Sequence, residues 1–251
     1  MTSMPPDSTL RRALHRYTYA LDLRSRETKR SKDVAALDKW YRTTFTHKVA
    51  QTKQLSSDDL TKLVEWKLAR GKWRPRLEQL AASNPDSVVQ SVTSQAITTL
   101  SKPSDESSSP SLTTTLEAIQ QLSTLKGIGP ATASAISAAV SPDSIPFMSD
   151  ELMHACFGKQ TKIDYTSKAY EKLVKAVNDK IHNKQWTARE LEQACWANDV
   201  LERNGESNRH QADQRETETE QTVTKTSSSS DTKRPAPTTD ETKRSQKRTK
   251  K

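Results

Sequence analysis

Cysteine, glycine and strand-like patterning are all scarce in this sequence. Its two cysteines, Cys156 and Cys195, are too few and too far apart for a zinc site or a disulfide framework. Such sparing use suits a reducing, intracellular compartment. No apolar run approaches membrane-spanning length, and the first residues lack the apolar core of a secretory signal, so no membrane partner is expected. No stretch alternates apolar and polar residues convincingly, which leaves an all-α fold class. Hydrophobic residues make up only 32% of the chain and the mean hydropathy is −0.87, so part of it is expected to be disordered. Only five glycines occur in 251 residues, and two of them, Gly127 and Gly129, sit one residue apart.

Basic residues are plentiful by contrast. The net charge is +9 with a pI near 9.5, which favours polyanionic partners, although basic tails alone would give the same balance. Residues 1–32 read as an N-terminal extension, partly helical over 10–23 through Leu10, Leu14, Tyr17 and Leu21. From Asp33 onward apolar residues recur at helical spacing: Val34, Leu37, Tyr41, Phe45 and Val49. A second helix starts at Ser56 or Ser57 and stops at Gly71. Others run from Pro75 towards Asn84 and over Val88–Leu100. Residues 101–111 form a polar surface loop, followed by a helix on each side of Gly127 and Gly129. A short helix begins near Ser149 or Asp150, another carries Tyr170 to Ile181, and Thr187-Ala-Arg-Glu190 is a capping-box start for the last. The folded domain is therefore expected over 33–203. Residues 204–251, rich in Ser, Thr, Glu and Lys, are expected to be disordered. Within that tail, 233–251 holds two basic clusters around a polar spacer. They suggest a nuclear-localisation signal, hence an import receptor and the nucleus, or a solvated tail that grips nucleic acid non-specifically.

The segment Leu125-Lys-Gly-Ile-Gly-Pro-Ala-Thr-Ala133 is the most informative. A Gly-x-Gly between two short helices makes a tight hairpin, because glycine tolerates positive φ and close backbone approach. Pro130 suits the first turn of the second helix. The hairpin and that helix start then direct unpaired N–H groups outward, towards an anionic oxygen. No strand precedes the segment and no Gly-Lys-Ser/Thr follows, so it is not a nucleotide P-loop. The anion expected is a nucleic-acid phosphate, contacted by Lys126, Gly127, Ile128, Gly129, Ala131 and Thr132, with Lys72 and Arg74 from the Gly71–Arg76 turn. DNA bound through such contacts is read largely without sequence preference. A helical corner with no ligand is the plain alternative.

This segment resembles the helix-hairpin-helix motif, and its surroundings resemble the DNA-glycosylase superfamily of that name, over roughly residues 33–203. That superfamily follows the hairpin with an Asp about twenty residues on. Ile145-Pro-Phe-Met-Ser-Asp150 places Asp150 21 residues beyond Gly129. Leu68-Ala-Arg-Gly-Lys-Trp-Arg-Pro-Arg-Leu77 resembles the helix, glycine turn and helix that precede it. The resemblance implies a catalytic role for Asp150: a carboxylate that stabilises positive charge developing on the sugar during N-glycosidic cleavage and positions water. The other reading is a helix cap, for which Ser149 and Asp150 are equally good residues. Bifunctional relatives carry a Schiff-base lysine where this chain has Ala131, so a lyase is not expected. The two cysteines exclude the four-cysteine iron–sulfur cluster of one branch. The resemblance implies no cofactor beyond a monovalent cation on the carbonyls of Leu125, Gly127 and Ile128. A flipped base needs stacking surfaces. Trp66, Trp73, Trp186 and Trp196 are available, with Tyr41 and His154. Residues at helical spacing are better read as core, whereas Trp73 lies in the basic turn that borders the family's base pocket. Trp73, Tyr41 and His154 are the base-pocket candidates. The function so implied is a DNA-binding protein that acts on or recognises an extruded base, as a monofunctional glycosylase. The alternatives are a non-catalytic binding module on the same fold and a scaffold whose hairpin binds protein.

Overall fold

The computed structural model describes residues 4–27, 33–102, 109–183 and 185–206. Among them are twelve α-helices, one π-helical turn and no strand, as the missing period-2 pattern requires. They run α1 Asp7–His15, α2 Tyr17–Glu27, α3 Val34–Trp40, the π turn Tyr41–Phe45, α4 Thr46–Thr52, α5 Ser57–Arg70, α6 Leu77–Ala82, α7 Asp86–Leu100, α8 Leu112–Leu122, α9 Pro130–Val140, α10 Asp150–Phe157, α11 Ser167–His182 and α12 Ala188–Arg203. Most starts are capped as the sequence indicates. Ser56 and Thr187 each form a full capping box, with Asp59 and Glu190 respectively. Ser111, Ser149 and Thr166 accept the amide three residues on. Most of loop 101–111 (103–108) and the tail from 207, including 233–251, lie outside the described residues.

The body does not begin at residue 33. Leu10 is fully buried in the main core, while Ala13, Tyr17, Ala20 and Leu21 pack with Trp196, Ala197 and Val200 of α12. The N-terminal helices therefore share the core of the domain. At the other end the body runs past 203. The Gly205 amide bonds to the Glu202 carbonyl, and the Glu206 amide to that of Leu201 at 2.8 Å, with Gly205 at φ +71°. This pair of bonds is a Schellman closure of α12. Arg16 then fastens it, 3.3 Å from the Glu206 carboxylate.

α9 is the central helix. Every residue from Ala131 to Ala139 is buried, which its small side chains permit by letting neighbours come close. The hairpin from Ser123 to Gly129 leads into it. Asn84 grips this turn from both sides: its Oδ1 accepts the Lys126 amide at 2.9 Å and its Nδ2 donates to the Lys126 carbonyl at 3.0 Å. The two glycines do different work. Gly127 sits at φ +77°, and a Cβ there would come within 2.9 Å of Leu80 Cβ and 3.1 Å of the Ala81 amide nitrogen. The large object that Gly127 approaches is α6, rather than a phosphate. Gly129 has an ordinary φ of −98° and open space where a Cβ would point.

Substitution separates these roles. Gly127→Ala is expected to lower stability by about 1–3 kcal/mol, through the left-handed φ and the collision with α6. Gly129→Ala should stay within about 0.5 kcal/mol of the parent in urea titration. Equal losses at the two positions would contradict this packing.

Candidate nucleic-acid interface and base cleft

A cleft of about 300 Å³ opens where the C-terminal end of α5, the Gly71–Arg74 turn, the start of α9 and the start of α10 meet. That is the lower end of the range for small-ligand sites, about 300–1,000 Å³. Asp150 lines it, together with Gly129, Ala131 and Thr132 of the hairpin helix and Lys67, Arg70, Lys72 and Arg74. Four cations thus face two carboxylates, those of Asp150 and Glu151.

Two short connections align these walls. The Ser134 hydroxyl, on α9, donates to the Ala131 carbonyl and accepts the Met148 amide, both at 2.9 Å. It ties the strand-like run into α10 directly to the hairpin helix. Ser149, and not Asp150, is the N-cap of α10, accepting the Leu152 amide at 3.3 Å. Asp150 is the first helical residue, and its side chain is spared for the cleft. One of its oxygens, Oδ1, accepts the Tyr165 hydroxyl at 2.8 Å. Burial and this bond to Asp150 push the Tyr165 pKa up to about 12, so the hydroxyl stays a donor. The Arg74 guanidinium lies 5.9 Å from the Tyr165 ring centre, closing one side.

The floor is Arg70, only 3% exposed. A buried guanidinium needs compensation. Its Nη2 lies 3.2 Å from Glu192 Oε2 and its Nε 3.7 Å from Asp38 Oδ1. Rings of Trp196, Trp66, Tyr17 and Phe147 surround it at 4.6, 5.2, 5.9 and 6.0 Å, within cation–π range. Asp38 is itself held by the Tyr17 hydroxyl at 2.8 Å, Trp66 Nε1 at 3.2 Å and Arg42 at 2.8 Å. Arg24 of α2 donates to the Ala69 and Gly71 carbonyls at 3.1 and 2.6 Å, pinning the end of α5 beside the cleft.

The expected site residues divide sharply. Asp150, Gly129, Ala131, Thr132, Lys72 and Arg74 meet in the cleft. Lys126 is exposed on the hairpin next to it, while Ile128 is buried at 3% exposure as a core residue. Among the described residues, the amides of Gly127, Gly129 and Ala131 donate to no protein acceptor. Trp73 is 46% exposed but outside the cleft lining. Tyr41 is not at the cleft: its ring stacks on Trp66 with centroids 3.7 Å apart, and its hydroxyl donates to the Ala135 carbonyl at 2.7 Å. His154 lines a separate cleft of about 430 Å³ with Cys195, Asp199 and Glu202. It shares the face of α10 that carries Asp150 but sits four residues, about 6 Å, further along the axis, past the end of the Asp150 cleft. Phe147, Tyr165 and Trp196 supply the cleft's aromatic surface instead. Asn84, Ser134, Tyr165 and Lys67 carry no motif signal, and Phe147, although inside the Ile145–Asp150 run, is marked by nothing but its neighbours. Only Trp196 of the aromatic three stood among the stacking candidates. The carbonyls of Leu125, Gly127 and Ile128 are hard oxygen donors of the type an alkali cation prefers. That of Leu125 also accepts the Ile128 amide at 3.1 Å.

Glu151 lines both clefts, half-buried, and desolvation pushes its carboxyl from an ordinary 4.5 up to about 7. Between those two values the folded protein holds a proton that the unfolded chain has lost. Stability therefore falls as pH rises through that window and stays lowered above it. Glu151→Gln should remove the penalty. Relative to the parent, its gain in thermal stability should be larger at pH 8 than at pH 5, by about 1–2 kcal/mol. The same gain at both pH values would contradict the assignment.

Comparison of the chain with protein-family models, with curated proteins and with solved structures gave no match.

Proposed function

We propose that this domain binds DNA through the hairpin and takes an extruded base into the Asp150 cleft, as a monofunctional N-glycosylase of the helix-hairpin-helix type. The observation that carries this reading is the shared cleft: the carboxylate of Asp150 and the hairpin's open edge at Gly129 and Ala131 line one solvent-reached space, edged by Lys67, Lys72 and Arg74. Phosphate oxygens meet the unpaired hairpin amides, with the helix dipole of α9 behind them. Because these contacts go to the backbone of the nucleic acid, binding is largely independent of sequence. The base enters beside Phe147 and Tyr165. Cleavage of the glycosidic bond leaves positive charge on the sugar, which Asp150 stabilises from a cleft that limits water. Tyr165 fixes the orientation of that carboxylate and leaves its second oxygen for the sugar or the attacking water. The carbonyls of Leu125, Gly127 and Ile128 would hold a monovalent cation that stiffens the hairpin. A nuclear location and an import receptor rest on the basic clusters of 233–251.

The test is a panel of duplexes, each with one damaged or mismatched base, assayed for abasic product. Asp150→Asn should reduce product by at least about a hundredfold, the scale of a lost electrostatic contact to the transition state, with duplex affinity nearly kept. Binding of the duplexes with no product on any lesion would favour the non-catalytic module. Cleavage that survives Asp150→Asn would clear Asp150 of the role.

A further inference from the structure

The second cleft has no part in the DNA reading. Helical spacing builds both of its long walls. Glu151, His154, Ala155 and Gly158 fall at i, i+3, i+4 and i+7 along α10 and its C-cap, and Cys195, Asn198, Asp199 and Glu202 repeat that spacing on α12. Ala155, Phe157, Cys195 and Pro5 make the walls largely apolar. Its electrostatics have one sign. Both helices turn their C-terminal ends towards it. α10 stops at Phe157, where the Gly158 amide closes on the His154 carbonyl at 2.8 Å, and α12 stops at Arg203. The negative pole of a helix favours a cation. Of the three carboxylates on the walls, two are engaged. Glu202 pairs with Lys159 and accepts Asn198 Nδ2 at 2.7 Å. Asp199 lies 3.7 Å from Arg203 and 3.9 Å from Lys159. Glu151 is the third. Its carboxylate meets its own backbone amide and forms no ion pair among the described residues. Arg70 cannot serve it, being held by Glu192 and Asp38.

We propose that this second cleft binds a small organic monocation, a primary ammonium on an apolar body, with the ammonium on Glu151 and the body against Ala155, Phe157 and Cys195. The site is independent of the DNA reading, and either can fail without the other. The other ligand classes fit worse. An anion would meet the carboxylates and the negative helix poles. A neutral apolar molecule would leave Glu151 without a counter-ion. A bare metal ion would lack donors, since no group of three or more His, Cys, Asp or Glu among the described residues is placed to hold one. Binding on Glu151 carries a pH signature. Burial holds its carboxyl up to about 7. Around it stand Asp150 and His154 of its own helix, and Lys67 and Arg70 of α5. α12 adds Glu192, Cys195, Asp199 and Glu202, and Lys159 follows α10. An ammonium, itself protonated across this range, pairs with the ionised acid. Affinity therefore rises as pH rises through 7 and falls below it.

Phenethylamine is the probe, titrated into the full-length, nitrogen-15-labelled protein at constant ionic strength and followed by amide shifts. Phenethyl alcohol, the same body without the charge, is the control. Saturable shifts are expected over 151–161 and 195–202. Affinity for the amine should be about tenfold higher at pH 8 than at pH 6, from the ionised fraction of Glu151 alone. His154→Gln should keep that pH dependence. Glu151→Gln should weaken binding at pH 8 by about tenfold or more and remove the pH dependence. Ala155→Leu fills the space without touching a charge and should weaken binding as well; the amide spectrum of each variant reports whether it is folded. No saturable shift at millimolar amine would overturn the proposal. Equal binding of the alcohol would overturn it too, as would shifts confined to 72–74 and 129–132, which would put the amine in the Asp150 cleft.

Discussion

A buried guanidinium is the constraint on which the rest of this structure depends. Arg70 closes α5 beneath the cleft, and its charge has to be balanced where water does not reach. The balance comes from every quarter of the fold: Asp38 of α3, Glu192 of α12, and rings from α2, α5, α12 and the run before α10. Loss of Asp38 or Glu192 would weaken that balance, and loss of a ring would remove one of the surfaces that packs against the guanidinium. The N-terminal helices are for this reason inseparable from the site, since Tyr17 both faces Arg70 and donates to Asp38.

Around that fixed floor the walls are set by small, specific bonds. Asn84 holds the hairpin turn to α6, Ser134 holds the run before α10 to α9, and Ser149 takes over the capping work at α10. Because a serine caps this helix, the neighbouring carboxylate is free to face the cleft. Its proximity to Lys67 and Glu151 makes the cleft a place of competing charges. Desolvation shifts the lysine downward and the glutamate upward, the condition under which ionisable groups serve chemistry near neutral pH.

Much of the helical architecture was legible from periodicity and caps. Ser56, Thr187 and Pro130 start helices where the sequence places them, because capping is local chemistry. The cleft residues near Gly129 and Asp150 were legible too, from one motif and one spacing. What was not legible is long-range. Residues 10–23 read as one helix, but the chain breaks between α1 and α2 at Arg16, which turns to Glu206, 190 residues away. The helical run from Val34 widens into a π turn at Tyr41–Phe45, for which apolar spacing gives no sign. Gly127 was read as room for a phosphate because its packing partner, α6, is some fifty residues back in the chain. Tyr41 and His154 suited a base pocket by type alone. Their places are fixed by neighbours: Ala135 takes the Tyr41 hydroxyl, and His154 sits further along α10 at a second cleft with Cys195, Asp199 and Glu202. Tyr165 and Lys67 belong to no recognisable pattern and gain meaning only from what they face.

The central claim is that the hairpin edge and the Asp150 cleft together receive DNA. Hydrogen–deuterium exchange of the full-length protein, with and without a duplex bearing one abasic site, tests it most directly. The account predicts slowed exchange over 126–132, 67–74 and 147–151, with the amides of Gly129 and Ala131 among the most protected. Protection confined to the basic tail, with the hairpin and cleft exchanging as in the free protein, would contradict it.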